Sequence, residues 1–497
     1  MTSDMRQHRV LITISVMIAS IMQALDATIA NVALPHIQGS LSATQDQITW
    51  VLTSYIIATA IMMPLSGWLA QQYGRKRIFL ISIVVFTIAS VLCGLAQTLP
   101  QMVVFRALQG IGGAALMPMS QSVLLDINPP ERHGRAMAVW GMGVVLGPII
   151  GPALGGWLTE NYDWRWVFYI NVPLGILAFL GVLTFLAESP RRTTRFDFFG
   201  FITLSLGLGA FQMMLDRGPL KDWFGATEVW VEAVIAAVSF YLFVVHMLTA
   251  RAHPFVSPSL FRDRNFVIGN VFIFIVGVVL FATLALLPPL MQEHMGYPVL
   301  LTGLLMAPRG IGTLLSMLVV GRLIGRVQIR YLILFGLLAT GFSLWQMTEF
   351  SLLMDGGPFI WSGVIQGFGT GFIYVPIAAV TFSTLSRDLR NEATSVFNLM
   401  RNIGSSIGIS VVEALLVRNT QIMHSALTAH VTQYTLARPG FLGGTLAMLN
   451  RQVTEQAAMI AYNDDFKLMM ILTLCLIPCV FLLRTVPARQ GEPVVIE

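Results

Sequence analysis

The stretch Met22-Gln23-Ala24-Leu25-Asp26-Ala27-Thr28-Ile29-Ala30-Asn31-Val32-Ala33-Leu34-Pro35 decides how the rest of the chain is read. It closes a run from Val10 to Ala24 that carries no charge, then places Asp26 in apolar surroundings. A carboxylate at the centre of a membrane helix costs roughly 2.5–3.5 kcal/mol on insertion scales, so it is usually retained for a function. The competing reading makes Asp26 a helix cap or an interfacial residue, since Pro35 follows nine positions later.

Composition favours the membrane. Of 497 residues 55% are hydrophobic and 11% charged, with mean hydropathy +0.73. Soluble domains carry about 25% charged residues, so this chain has too little charge to coat a globule and lipid must cover much of its surface. The formal charge of +5 does not imply nucleic acid, because the basic residues recur in short groups between apolar runs. Cys93, Cys475 and Cys479 all lie in apolar segments, and neither a disulfide framework nor zinc spacing is present in the sequence. No metal site is expected. The basic start with Arg6 and Arg9 imitates a signal peptide, but the apolar run outlasts one and reads as an uncleaved span.

A spanning helix needs about 20 mostly apolar residues. Fourteen segments qualify: 10–33, 48–71, 78–97, 101–125, 134–157, 165–187, 198–216, 229–248, 265–288, 298–321, 331–349, 357–381, 394–417 and 465–484. They are too long and too uniformly apolar for barrel strands. With the N-terminus inside, twenty of the 30 Lys and Arg residues fall in inner loops and seven in outer loops, while Arg106, Arg309 and Arg401 lie within spans. That asymmetry makes both termini cytoplasmic. Residues 418–464 then read as a long outer loop, a docking surface for a partner.

An internal repeat is visible. Gly67-Trp68-Leu69-Ala70-Gln71-Gln72-Tyr73-Gly74-Arg75-Lys76-Arg77 is echoed by Gly321-Arg322-Leu323-Ile324-Gly325-Arg326 at an offset of 254. Gln109-Gly110-Ile111-Gly112-Gly113 is echoed by Gln366-Gly367-Phe368-Gly369-Thr370 at an offset of 257. The echoes predict two six-span bundles joined by two extra spans, with boundaries at 1–195, 196–260 and 261–497, and a substrate cavity near the midplane between the halves.

Several motifs carry chemistry. The glycines of the Gly67–Arg77 loop permit a tight turn, and its Arg75-Lys76-Arg77 cluster anchors at an anionic surface. Arg106 is a permanent cation inside span four and must find an anion, carbonyls or water. The glycines after it read as close helix packing, because no strand precedes them as a nucleotide-binding turn would require. Span five carries Gly147-Pro148-Ile149-Ile150-Gly151-Pro152-Ala153-Leu154-Gly155-Gly156, two prolines and a small-residue face that predict a bend.

These motifs resemble known ones. The Gly67–Arg77 loop resembles the signature loop of the major facilitator superfamily, with Gln71 where that signature carries an acidic residue. The Gly147–Gly156 run resembles the Gly-Pro-x-x-Gly-Gly pattern of its exporters, with Pro152 replacing the second small residue. From end to end the chain resembles the EmrB/QacA family of drug:proton antiporters. The likeness rests on Leu25–Pro35, Trp164-Arg165-Trp166-Val167-Phe168-Tyr169-Ile170-Asn171-Val172-Pro173 and Leu215-Asp216-Arg217-Gly218, and the long loop before the last span is closest to the EmrB-like branch. The resemblance implies an inner-membrane multidrug exporter of hydrophobic or amphipathic compounds, powered by the proton gradient without another cofactor. It also implies a periplasmic membrane-fusion adaptor and an outer-membrane channel as partners. An exporter of a native metabolite, such as a siderophore or fatty acid, is the alternative.

Within that frame Asp26 either carries the proton, with Arg106 tuning it, or binds a cationic substrate and gates the outer end of its span. Thr28, Asn31, Gln109, Arg309, Gln366 and Arg401 are the candidate cavity residues. Arg309 and Arg401 each suit an anionic substrate, a cavity carboxylate or a structural partner equally. Asp216 beside Arg217 reads as a local ion pair, Glu413 as interfacial, and Asp126 and Glu131 as loop residues. A hydrolase is not expected, since HExxH and a strand-borne Gly-x-Ser-x-Gly are both missing from the sequence, and ATP drive is not expected without a P-loop.

Overall fold

Lipid offers the backbone no hydrogen-bond partners, so a chain of this composition satisfies its N–H and C=O groups within helices. The structure, a computed structural model, describes residues 8–129, 132–189, 195–250, 254–431 and 446–484. Among them are fourteen helices long and apolar enough to cross a membrane, one for each span expected from sequence. The first six are α1 (Arg9–Ser40), α2 (Trp50–Tyr73), α3 (Arg75–Leu95), α4 (Leu99–Ile127), α5 (His133–Asn161) and α6 (Trp166–Phe185). Then come α7 (Phe198–Arg217) and α8 (Thr227–Thr249). The last six are α9 (Arg264–His294), α10 (Leu301–Leu323), α11 (Ile329–Met347), α12 (Gly357–Thr381), α13 (Arg390–Thr428) and α14 (Leu446–Leu482).

Helix packing forms two six-helix bundles. In the first, α1 packs on α5 and α6, while α2 and α3 pack on α4. In the second, α9 packs on α13, α10 and α11 pack on α12, and α14 rests on α11 and α13. The bundles meet where α5 crosses α10 and α12 and where α2 and α4 meet α13. The extra pair stays at the edge: α7 packs on α8 and touches α2, and only 17% of the apolar window of α8 is buried. Lipid must cover the rest of it. Asp197 holds the start of this pair, accepting from Gly200 N as an N-cap at 2.9 Å and from His246 and the Phe255 amide at the same distance.

Glycines set how closely the helices approach. Gly110 faces the Tyr55 carbonyl so tightly that an added Cβ would lie 2.5 Å from it, and at Gly112 the Cβ would lie 2.6 Å from the Phe86 nitrogen. Both neighbours are backbone and cannot step aside. Gly112→Val is therefore expected to cost about 1–3 kcal/mol, the usual range for overpacking, read as a lower unfolding midpoint in detergent. An unchanged midpoint would mean that α3 and α4 can part without penalty.

The structure corrects several expectations. The long loop 418–464 is largely helix where it is described: α13 continues to Thr428 and α14 begins at Leu446. Its polar residues hid this from a hydropathy count. The stretch Ala437–Gly444 lies outside the described residues, as do Arg6 and Glu131. Asp216 does not pair with its neighbour Arg217. It accepts from the Thr53 hydroxyl on α2, while Arg217 turns to Glu228. Finally, α1 does not stop near Pro35, which sits inside a helix that runs on to Ser40.

Candidate functional site

The continuation of α1 settles where Asp26 stands. It lies 17 residues after Arg9 and 14 before Ser40, so it caps neither end, and its exposure is 0%. Along the axis it is about 26 Å from the first turn and about 21 Å from the last.

A buried charge needs partners, and two helices, α4 and α6, supply them. Arg106 Nη1 on α4 donates to Asp26 Oδ2 at 2.9 Å, and Gln109 Nε2, one turn further on, donates to Oδ1 at 2.8 Å. Asn171 Nδ2 on α6 also donates to Oδ1, at 2.9 Å. The guanidinium is held in turn. Its Nη1 reaches Gln109 Oε1 at 2.7 Å, its Nε donates to the Val51 carbonyl at 3.1 Å, and the Tyr55 ring lies 4.4 Å from its carbon. That ring contributes a cation–π contact. Asn171 is oriented by Ser90 Oγ at 3.0 Å, and Ser90 donates to the Phe168 carbonyl at 2.8 Å. Arg106 is 1% exposed, and Gln109 and Asn171 are both at 0%.

The expected meeting of Asp26 with Arg106 is therefore present, and Gln109 belongs to the same centre. Asn171, Tyr55 and Ser90 belong to it too, and no role was assigned to them from sequence. Asn171 had a signal: it is an uncharged polar residue that an apolar span buries only at some cost. Both carboxylate oxygens face N–H donors.

A second polar network joins the two bundles at the face where the N-terminal helix begins. Asp126, expected to serve a loop, instead bridges Arg75 Nη1 at 2.7 Å and Arg390 Nη1 at 2.8 Å. Ser122 donates to Asn391 Oδ1 at 2.6 Å, Asn398 donates to Gln121 Oε1 at 2.8 Å, and Ser66 and Ser395 hydroxyls meet at 3.3 Å. The Gly67–Arg77 segment, expected to be a loop, is helix except at Gly74, and it is built into this seal. A Cβ on Gly67 would lie 3.2 Å from Glu392 Cα, and Gly74 has φ +94°, a region that favours glycine. The Lys76 amide donates to Glu188 Oε1 at 3.2 Å, with Arg77 Nε 4.0 Å from the same carboxylate. Gln71, standing where the signature has an acid, donates to the Asp388 carbonyl at 3.4 Å.

The remaining candidates do not converge on one cavity. Thr28 is used in packing: its hydroxyl donates to the Gly147 carbonyl at 3.2 Å. A Cβ on Gly147 would lie 2.5 Å from the carbonyl carbon of Ala24, while at Gly151 and Gly155 it would collide with Thr28 Oγ1 and Ile29 Cγ1, so this face of α5 is pressed against α1. At Gly156 nothing is closer than Val32 at 3.9 Å. Pro148 and Pro152 lie inside α5 without interrupting it. Asn31 is exposed. Arg401 sits at the junction of the bundles, with Nη2 3.1 Å from Met117 Sδ on α4. Arg309 and Gln366 share a pocket inside the second bundle, described below.

Comparison with known proteins agrees with this architecture. Residues 16–409 match the family described as Major Facilitator Superfamily. The chain is similar to the fatty acid resistance protein FarB of Neisseria gonorrhoeae, 37% identical with 97% of each chain covered. It is equally similar to the multidrug export protein EmrB of Escherichia coli K12, 37% identical over 92% of each chain. Among solved structures the proton:xylose symporter XylE superposes with TM-score 0.63 at 13% identity, covering 95% of this chain and 96% of that one.

Proposed function

Because this chain belongs to the Major Facilitator Superfamily, on its EmrB-like branch, we propose that it is a multidrug exporter that expels hydrophobic and amphipathic compounds across the bacterial inner membrane in exchange for protons. The observation that carries the proton coupling is the Asp26 centre, a fully buried carboxylate whose oxygens are all engaged by donors on α4 and α6.

The mechanism follows from that geometry. A guanidinium in contact favours the charged carboxylate, and a dry surrounding without one favours the neutral acid. A rocking motion that draws α1 away from α4 and α6 lets a proton bind, and re-forming the contact expels it. If the face bearing Arg9, Arg75 and Arg390 is cytoplasmic, as the distribution of basic residues argues, the arrangement described is sealed on the cytoplasmic side. Opening to that side must part Asp126 from Arg390 and the first bundle from the start of α13. Coupling arises when the same tilt moves α1 within the first bundle.

The helical extensions before and after residues 432–445 are the surface we assign to a periplasmic adaptor, leading to an outer-membrane channel. At 39 residues, α13 is about 58 Å long, against roughly 30 Å of hydrocarbon. Its last turns therefore stand clear of the membrane. Similarity to FarB over 97% of the chain favours a second reading of the cargo, a fatty acid or comparable native metabolite.

The proposal predicts that a pump-deficient cell producing the protein accumulates less drug than its control, and that an uncoupler erases the difference. Efflux that persists after the gradient has collapsed would rule out proton drive.

A further inference from the structure

We propose that the second bundle holds an anion site of its own, a buried pocket where Arg309 receives the carboxylate head of an amphipathic monocarboxylate. The proposal deepens the exporter reading and rests on it for the ligand being cargo.

The internal repeat shows how the site arose. Asp26 and Gln109 are 83 residues apart and bonded, and so are their counterparts Thr283 and Gln366, with Gln366 Nε2 donating to Thr283 Oγ1 at 3.2 Å. Gly110 packs against Tyr55 O and Thr59 Oγ1, and Gly367 packs in the same way against Arg309 O and Thr313 Oγ1. Gly112 faces Phe86 where Gly369 faces Thr340. The second bundle therefore carries Thr283 in place of Asp26, Arg309 in place of Tyr55 and Thr340 in place of Phe86. Its cation is kept on a different helix, its carboxylate is gone, and the large ring that would fill the space is replaced by a hydroxyl.

The consequence is a guanidinium with no carboxylate partner among the described residues. Arg309 is 6% exposed, and Nη2 makes one long bond to the Leu280 carbonyl at 3.4 Å while Nη1 has no partner. Thr340 Oγ1 and Gln366 Oε1, also buried, have no partner either. All three side chains line one small pocket of about 20 Å³, room for little more than a water as it stands, and its other walls, among them Ile275, Val276, Val279, Leu337 and Ile373, must part to admit a hydrocarbon chain. An arginine stays protonated when buried, and a buried unpaired cation is costly. A ligand carboxylate would accept from Nη1 and from the Thr340 hydroxyl, with its hydrocarbon against the aliphatic wall. A cation would be repelled.

The test is equilibrium binding of octanoate and of uncharged octanamide to the purified protein in nanodiscs. Octanoate is expected to bind more tightly than octanamide, and Arg309→Gln to weaken octanoate alone, by about tenfold to a hundredfold, the range for a bond to a charged group. Arg309→Lys should keep part of the preference. Because Arg309→Gln removes an unpaired buried charge, its unfolding midpoint should equal or exceed that of the parent. Equal binding of the two ligands, unchanged octanoate affinity in Arg309→Gln, or a lowered midpoint would each overturn the site. These readouts need no transport, so absence of drug efflux would defeat the exporter reading while leaving the binding result standing.

Discussion

Asp26→Asn is expected to abolish drug uptake driven by an imposed pH gradient in inverted membrane vesicles, where the exporter pumps inward. Asparagine has nearly the same shape and its carbonyl oxygen can still accept from Gln109 and Asn171, which now donate to Oδ1. It cannot bind or release a proton. The loss should therefore fall on the coupled step, while exchange of drug down its own gradient continues more slowly. Arg106 is left facing an amide, so the variant must first be shown to insert and to unfold cooperatively. Asp26→Glu, which keeps the charge on a longer side chain, should retain a fraction of the coupled uptake. If Asp26→Asn vesicles take up drug in response to the pH gradient at the parent rate, the proton travels elsewhere.

How much of this was legible in the sequence depends on the range of the interaction. The spans follow from hydropathy alone, because lipid imposes one solution on about 20 apolar residues. Asp26 and Arg106 stood out singly, since each is costly in that medium. Their partnership was guessable because an arginine cannot shed its charge. Asn171 showed only as a polar residue in an apolar span and Ser90 not at all, since nothing local shows which face a helix turns inward or which partner it meets. Asp126 was misread for the same reason: its partners are Arg75 and, 264 positions away, Arg390. The extensions of α13 and α14 were missed because their residues are polar, and a helix beyond the membrane leaves no hydropathy signal.

The repeat carried more than topology. Paired glycines in α4 and α12 keep the same backbone approach in both bundles, so corresponding positions can be compared residue by residue. Comparison shows a division of labour. The first bundle neutralises its cation internally with Asp26, and the second leaves Arg309 without a counter-ion among the described residues. A transporter that exchanges a proton for cargo gains from such asymmetry, because only one of two related pockets has to be closed in the absence of cargo.

The largest effect on stability is expected from Arg106→Leu. Removing one member of a buried pair leaves the other desolvated and uncompensated, at a cost of about 3–5 kcal/mol, and here Asp26 at 0% exposure would be the orphan. The loss should appear as reduced folded yield and a much lower unfolding midpoint. Replacing both charges by apolar side chains is often neutral or stabilising, by about 1–4 kcal/mol. Arg106→Leu combined with Asp26→Leu should therefore recover much of the midpoint that the single substitution loses. Recovery will be incomplete, since the bonds from Arg106 to Gln109 and the Val51 carbonyl go as well. On the proposed mechanism the double variant should nonetheless be dead in pH-driven uptake, because neither Asp26 nor its counter-charge remains. A double variant no more stable than Arg106→Leu would show that the pair does not determine the fold of the first bundle. A stable double variant that still couples drug to protons would show that the centre is structural and that the proton binds at another group.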